Sequence, residues 1–165
     1  MTAAILILAF VTLQRLGELW LSNHNTRRLL AQGAKEHAAR HYPLIVAIHV
    51  GWLGTLWLLA PGQPIDWWLI GLFALLQLAR LWVIASLGTR WTTRIIVLPA
   101  APLVRSGPYR WVRHPNYAIV VLEIALLPLA FGLPAIALIF TLLNAAALAV
   151  RITAEARALA PSRPE

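Results

Sequence analysis

Ser106-Gly107-Pro108-Tyr109-Arg110-Trp111-Val112-Arg113-His114-Pro115-Asn116-Tyr117 is a polar, basic and sharply punctuated stretch. It runs without a break into Ala118–Leu129, an apolar run with a single acid, Glu123. Ser-Gly-Pro is turn chemistry, because Gly takes positive φ freely and Pro fixes the φ that follows. Pro115 suits the first turn of a helix, where its missing N–H would be unpaired in any case. The residue before a proline avoids the α region, so His114 is expected at the cap, outside the helix. The helix that starts there offers unpaired backbone N–H groups and the positive end of its dipole, flanked by Arg113 and His114. Such an end accepts a carboxylate or phosphate; the blander alternative is a basic collar that anchors the helix at the interface. A chain that gathers Arg, His and Tyr where an apolar run begins places chemistry at a bilayer surface.

The rest of the chain bears out the membrane setting. Of 165 residues, 60% are hydrophobic and only 12% charged, about half the charge of an ordinary soluble domain at roughly 25%. Five apolar windows are legible: Ala3–Leu21, Pro43–Ala60, Trp67–Leu87, Tyr117–Phe131 and Leu133–Val150. Three approach or exceed the roughly 18 residues of a spanning helix. The last two surround Pro128, Gly132 and Pro134 and are expected to form a tight helical hairpin. The first window lacks a basic leader and carries Arg15 and Glu18, so it is expected to remain as a permanent span. The fold expected is an all-α integral membrane protein of about five transmembrane helices. A single domain covers 1–165, with a three-helix part over 1–89, a cofactor-binding and catalytic part over 90–159, and a frayed tail over 160–165.

The net charge of +8 is distributed like topology rather than nucleic-acid binding. Arg27, Arg28, Lys35 and Arg40 lie between the first two windows. Arg90, Arg94, Arg105, Arg110 and Arg113 lie between the third and fourth, and Arg157 and Arg163 follow the fifth. The connections at Pro61–Ile65 and Gly132 have no basic residue. The positive-inside rule then puts the N-terminus outside and the C-terminus in the cytoplasm, with a cofactor pocket on the cytoplasmic side beside the hairpin. Trp20, Trp67 and Trp68 fall where interfacial anchors belong. The apolar centre Ile95-Ile96-Val97-Leu98-Pro99 of the long polar connection is expected to pack on the bundle or dip into the interface. The absence of cysteine excludes disulfides and thiolate metal sites, and no metal is expected.

Six ionisable residues fall inside or at the ends of the windows: Arg15, Glu18, Arg80, Glu123, Arg151 and Glu155. Intramembrane charges are costly and face a cavity or one another. Arg15 and Glu18, three apart on one helix face, are able simply to pair and snorkel. All six on one side of the membrane suggest instead a polar pocket open to the cytoplasm. Arg151 and Glu155, four apart, also share a face. Tyr109 and Tyr117 add aromatic faces able to hold a cation. A ligand with both a carboxylate and a positive centre matches a helix start, arginines and aromatic rings taken together.

The run Leu103-Val104-x-Ser106-Gly107-Pro108-Tyr109-x-x-x-Arg113-His114-Pro115-Asn116-Tyr117, followed after a hydrophobic hairpin by Arg151-x-x-x-Glu155, resembles the isoprenylcysteine carboxyl methyltransferase family. The resemblance covers about Arg90 to Leu159. The N-terminal part, with Arg15-Leu16-Gly17-Glu18-Leu19 and Gly33-Ala34-Lys35-Glu36, looks more like bacterial members found beside type III polyketide synthases. The resemblance implies an integral-membrane enzyme of the bacterial inner membrane that uses S-adenosylmethionine. It implies that Leu103 and Val104 line the adenosine site, that Tyr109, Arg113, His114, Pro115, Asn116 and Tyr117 hold the methionine end, and that Glu155 closes on it. Arg151 would orient the acceptor oxygen, with His114 and Glu155 beside the reaction and Glu123 near the acceptor. The acceptor implied is lipophilic: a prenylated carboxylate, a long-chain alkylpyrone or alkylresorcinol hydroxyl, or a phospholipid amine. The chain departs from the eukaryotic pattern at Arg94, Ala101 and Pro102, and has Ala156 where many members have a second acid.

Two other classes fit parts of the pattern. Membrane sterol-type reductases share a similar hairpin and Arg-His-Pro region but use NADPH. A small multidrug-type transporter would use intramembrane acids, yet such a carrier places them nearer the midplane and lacks a long basic loop.

Overall fold

The computed structural model describes residues 1–37, 39–99, 101–102 and 104–159. Five α-helices carry the described fold: α1 (Thr2–Ala31), α2 (Tyr42–Leu59), α3 (Trp67–Leu87), α4 (Pro115–Ala130) and α5 (Pro134–Leu159). Four are long and apolar enough to cross a membrane, and α4 is a shorter apolar helix. The expected all-α membrane architecture is what the chain adopts. The tail expected to fray, 160–165, lies outside the described residues.

Two helices outrun their apolar windows. No breaker follows Leu21, so α1 continues through Ser22–Ala31 and stops only where Gly33 takes φ +88. At about 1.5 Å per residue its 30 residues reach about 45 Å, well beyond a hydrocarbon core of about 30 Å. Likewise α5 continues past Val150, which keeps Arg151 and Glu155 helical and on one face. By contrast α4 has 16 residues, about 24 Å, so it is too short to carry both its ends to the two interfaces.

The helix ends follow local chemistry. Asp66 caps α3 by accepting from the backbone N–H groups of Trp68 (2.9 Å) and Leu69 (3.2 Å). His114 stands at the cap of α4 with φ −130, and Pro115 opens the helix, as the sequence requires. The hairpin between α4 and α5 turns at Gly132 with φ +65. Between hydrocarbon-embedded helices, packing rather than water exclusion holds the bundle. Ala4, Leu8 and Val11 of α1 meet Trp52 and Leu56 of α2, Phe73 of α3, and Ile124 and Leu127 of α4 in one buried cluster. Trp20, Trp67 and Trp68 are exposed on the outside of the bundle.

The polar connections form a layer at the basic end. Lys35–His37 (β1) pairs antiparallel with Ile95–Val97 (β2), with Glu36 opposite Ile96. The β-branched run that sequence reasoning placed against the bundle is thus a strand, because a second extended segment lies within reach of its backbone groups. The extension of α1 holds this layer. Ser22 Oγ accepts from Thr93 N–H at 2.8 Å, and Asn25 Nδ2 donates to the Trp91 carbonyl at 2.8 Å.

Candidate active site

The Ser106-Gly107-Pro108-Tyr109 turn ties this layer to α3. Gly107 has φ +57, and a Cβ built there would run into the Ser86 side chain. From that turn the chain passes to His114 and into α4, and α5 returns alongside it with Arg151 and Glu155. Tyr117 joins them: Arg151 Nε donates to its hydroxyl at 2.8 Å, and the hydroxyl donates to Glu155 Oε2. His114 stacks on the Tyr117 ring with centroids 5.2 Å apart, and its Nδ1 lies 3.8 Å from Glu155 Oε2. The Arg151 guanidinium sits 5.4 Å from the centroid of the same ring. Arg151 and Glu155 thus meet at the Tyr117 hydroxyl, and His114 lies against the ring.

A cavity of about 140 Å³ opens on this cluster. Tyr109, Arg113, His114, Asn116, Tyr117, Arg151 and Glu155 line it from α4, α5 and the turn. Trp91, Arg94 and the β2 strand line it from the other side. Burial, with Glu155 nearby, pushes the Tyr109 hydroxyl up to about 12, so it stays a hydrogen-bond donor at neutral pH. Arg94 is held by Glu36 at 3.0 Å and lies over the Tyr42 ring. Pro115 is buried at the start of α4, outside the cavity lining. Val104 is half-buried and likewise not in the lining, and Leu103 lies outside the described residues.

A second, mostly apolar cavity of about 210 Å³ lies between α1, α2, α4 and α5. Leu16, Leu19, Ile45, Val46, Val50 and Leu53 give its greasy walls. The two cavities share four lining residues: Trp91, Asn116, Tyr117 and Arg151. Asn116 Oδ1, at this common wall, is buried without a hydrogen-bond partner among the described residues.

Of the six intramembrane charges, Arg15, Glu18, Arg80 and Arg151 line the larger cavity, Arg151 and Glu155 line the polar one, and Glu123 is in neither lining. Arg151 and Glu155 belong to the cluster above. The other four form a buried network in which Arg15 does not snorkel. Arg15 bonds Glu18 at 2.7 Å and Glu123 at 2.8 Å. Arg80 bonds Glu123 through Nε at 2.9 Å and again through a terminal nitrogen, and reaches Glu18 at 3.3 Å. Gln77 donates to Glu123 at 2.8 Å, and Gln14 bridges Glu18 and Gln77. Glu123, expected near the acceptor, is 1% exposed and does not line the acceptor-sized cavity. Arg15, Arg80 and Gln77 occupy its carboxylate.

Sequence reasoning weighed charges and passed over Gln14, Gln77, His49 and Asn144. The available signal was an uncharged polar group inside an apolar window, each of which needs a partner in hydrocarbon.

The family model described as isoprenylcysteine carboxyl methyltransferase (ICMT) family matches residues 69–161, more than half of the chain. The chain belongs to this family. In this isoprenylcysteine carboxyl methyltransferase family member the matched segment runs from α3 through α5, so it includes the turn, the Tyr117 cluster and Glu155. The chain is 41% identical over 160 residues to the uncharacterized protein YpbQ of Bacillus subtilis, across 93% of this chain and 95% of that one. It is 32% identical over 120 residues to an uncharacterized protein of Haemophilus influenzae, across 70% of this chain and 66% of that one. No solved structure matches it. Membership and the helices together make the protein a membrane methyltransferase by family.

Proposed function

We propose that the protein transfers a methyl group from S-adenosylmethionine to an oxygen of a lipophilic acceptor, either a carboxylate or an enol or phenol hydroxyl. The observation that carries this reading is the wall of Trp91, Asn116, Tyr117 and Arg151 common to a polar cavity and an apolar one. Two dissimilar reactants, one polar and one greasy, must meet at a single point, and this wall is such a point.

The residues present fit the methyl donor. The orphaned Asn116 Oδ1 calls for a donor such as an ammonium group. Arg113 and the start of α4 suit a carboxylate, Glu155 suits a positive charge, and the Tyr109 and Tyr117 rings suit a sulfonium. Val104, with Leu103 before it, is assigned to the adenosine edge by family resemblance alone. When bound, S-adenosylmethionine supplies a methyl group already activated by its positive sulfur, so alignment and exclusion of water dominate the chemistry.

The chain's own groups divide the remaining work. Arg151 is held through Nε by Tyr117, which leaves its terminal nitrogens to orient an acceptor oxygen. A carboxylate acceptor is already ionised and needs no base. For a hydroxyl acceptor, Glu155 or His114 lies in the polar cavity to take the proton, whereas Glu123 is sequestered. The basic layer supports a cytoplasmic active site in a bacterial inner membrane, with the N-terminus outside and the C-terminus inside. Acceptors weighed on this reading are an alkylpyrone or alkylresorcinol hydroxyl and a prenylated carboxylate.

The test is binding of labelled S-adenosylmethionine to detergent-purified protein, in parallel with NADPH. Saturable binding of the first, absent in His114→Ala and without NADPH binding, is the expected result. Arg151→Ala is expected to insert in the membrane and bind the donor, yet transfer no label to a lipid extract. Binding of NADPH instead would replace this reading with the reductase one.

A further inference from the structure

Among the polar side chains that line the mostly apolar cavity, Asn144 and His49 belong neither to the methyl-transfer cluster nor to the Arg15–Glu18–Arg80–Glu123 network. Asn144 on α5 is 2% exposed and lines the cavity, and its Nδ2 has no hydrogen-bond partner among the described residues. His49 on α2 lines the same cavity. Its Nδ1 lies 2.8 Å from the Ile45 carbonyl oxygen. A carbonyl only accepts, so Nδ1 carries the proton, and in the neutral form of the ring Nε2 is the acceptor. The register of the helices brings the two residues to one level. Gly51 of α2 faces the Phe140 ring of α5, and the start of α2 lies with the end of α5, since Tyr42 and Arg151 share a pocket. The helices are therefore antiparallel, and His49 and Asn144 lie about 3 Å and about 6 Å from that contact toward the same end.

An amide N–H left unpaired in a mostly apolar, membrane-embedded cavity is unfavourable. Asn144 also precedes Arg151 by seven residues, two turns on the same helix face, or about 10 Å. Arg151 stands at the wall shared with the polar cavity.

We propose that Asn144 and His49 form a second polar subsite that reads a hydroxyl on the hydrocarbon chain of the acceptor, about 10 Å from the oxygen that receives the methyl group. A hydroxyl matches because it both accepts and donates. It accepts from Asn144 Nδ2 and donates its one proton to His49 Nε2. A saturated chain satisfies neither. The inference rests on the methyltransferase reading only in calling the bound lipid an acceptor.

The experiment uses the purified protein in lipid nanodiscs and two probes: a long-chain fatty acid with a mid-chain hydroxyl, and the same fatty acid without it. Binding is read by thermal shift and by titration calorimetry. The wild type is expected to prefer the hydroxylated probe by about tenfold or more, since a site built for a hydroxyl rejects the analogue that lacks it. Asn144→Leu, close in size and content in hydrocarbon, is expected to bring the two affinities within about twofold by removing that hydrogen bond. His49→Phe gives an independent reduction of the same preference. No binding of the hydroxylated probe, equal affinities in the wild type, or a preference that survives Asn144→Leu would each overturn the subsite. Because the readout is binding, a failure of labelled methyl transfer sinks the proposed reaction without touching this result.

Discussion

Replacing Glu123 by leucine removes one carboxylate from a network that otherwise balances two arginines against two acids. The cost can be apportioned from the geometry. Arg15 is partly accessible, with 17% of its side chain exposed, and keeps Glu18 at 2.7 Å. Arg80 is 3% exposed and loses both of its bonds to Glu123, retaining only Glu18 at 3.3 Å. Most of the penalty therefore falls on Arg80, which becomes a nearly uncompensated charge inside the bundle. Removing one partner of such a buried pair costs about 3–5 kcal/mol, or a factor of roughly a hundred or more in the unfolding equilibrium. Reversible unfolding in mixed micelles, titrated with SDS, is the assay. The double variant Arg80→Met/Glu123→Leu is expected to recover most of the loss, because apolar replacement of a whole buried pair is often neutral. A loss below about 1 kcal/mol for Glu123→Leu, accompanied by loss of turnover, would refute the structural role and return Glu123 to the acceptor.

Two further predictions concern the turn. Gly107→Ala places a Cβ at positive φ, which costs about 1–2 kcal/mol by itself, and drives it into Ser86; Ser86→Ala in the same chain removes the closest clash, with Oγ, and should recover part of the loss, read in the same unfolding assay. Tyr109, pushed up from 10.0 to about 12 by burial, binds its proton more tightly folded than unfolded. Its contribution is complete below pH 10 and is lost as the pH rises toward 12, so stability should fall across that window. Tyr109→Phe should flatten the fall and remove one late step from the tyrosinate absorbance titration.

Much of the fold was legible because it depends on local chemistry. The α3 boundaries, the hairpin at Gly132, the cap at His114 and the opening of α4 at Pro115 each follow from residues within a few positions of the event. The continuation of α1 past Leu21 was missed for a related reason. Hydropathy marks where lipid ends, whereas a helix ends only where a breaker or an unpaired carbonyl stops it. The pairing of Lys35–His37 with Ile95–Val97 joins segments some sixty residues apart, and neither strand is long enough to announce itself.

The site divides in the same way. The sequence by itself determined that this is a membrane-embedded helical protein, that a basic turn enters α4 through His114 and Pro115, and that Arg151 and Glu155 share a face. Each of these depends on composition, periodicity or the conformational limits of Gly and Pro. Only the tertiary structure decided the partners. Arg15 reaches Glu123 across 108 residues and Arg80 reaches it across 43, while Tyr117 gathers Arg151, Glu155 and His114. A buried charge or amide must find its counterpart in space, and nothing in a hydropathy profile says which of several polar residues at the same depth will face it.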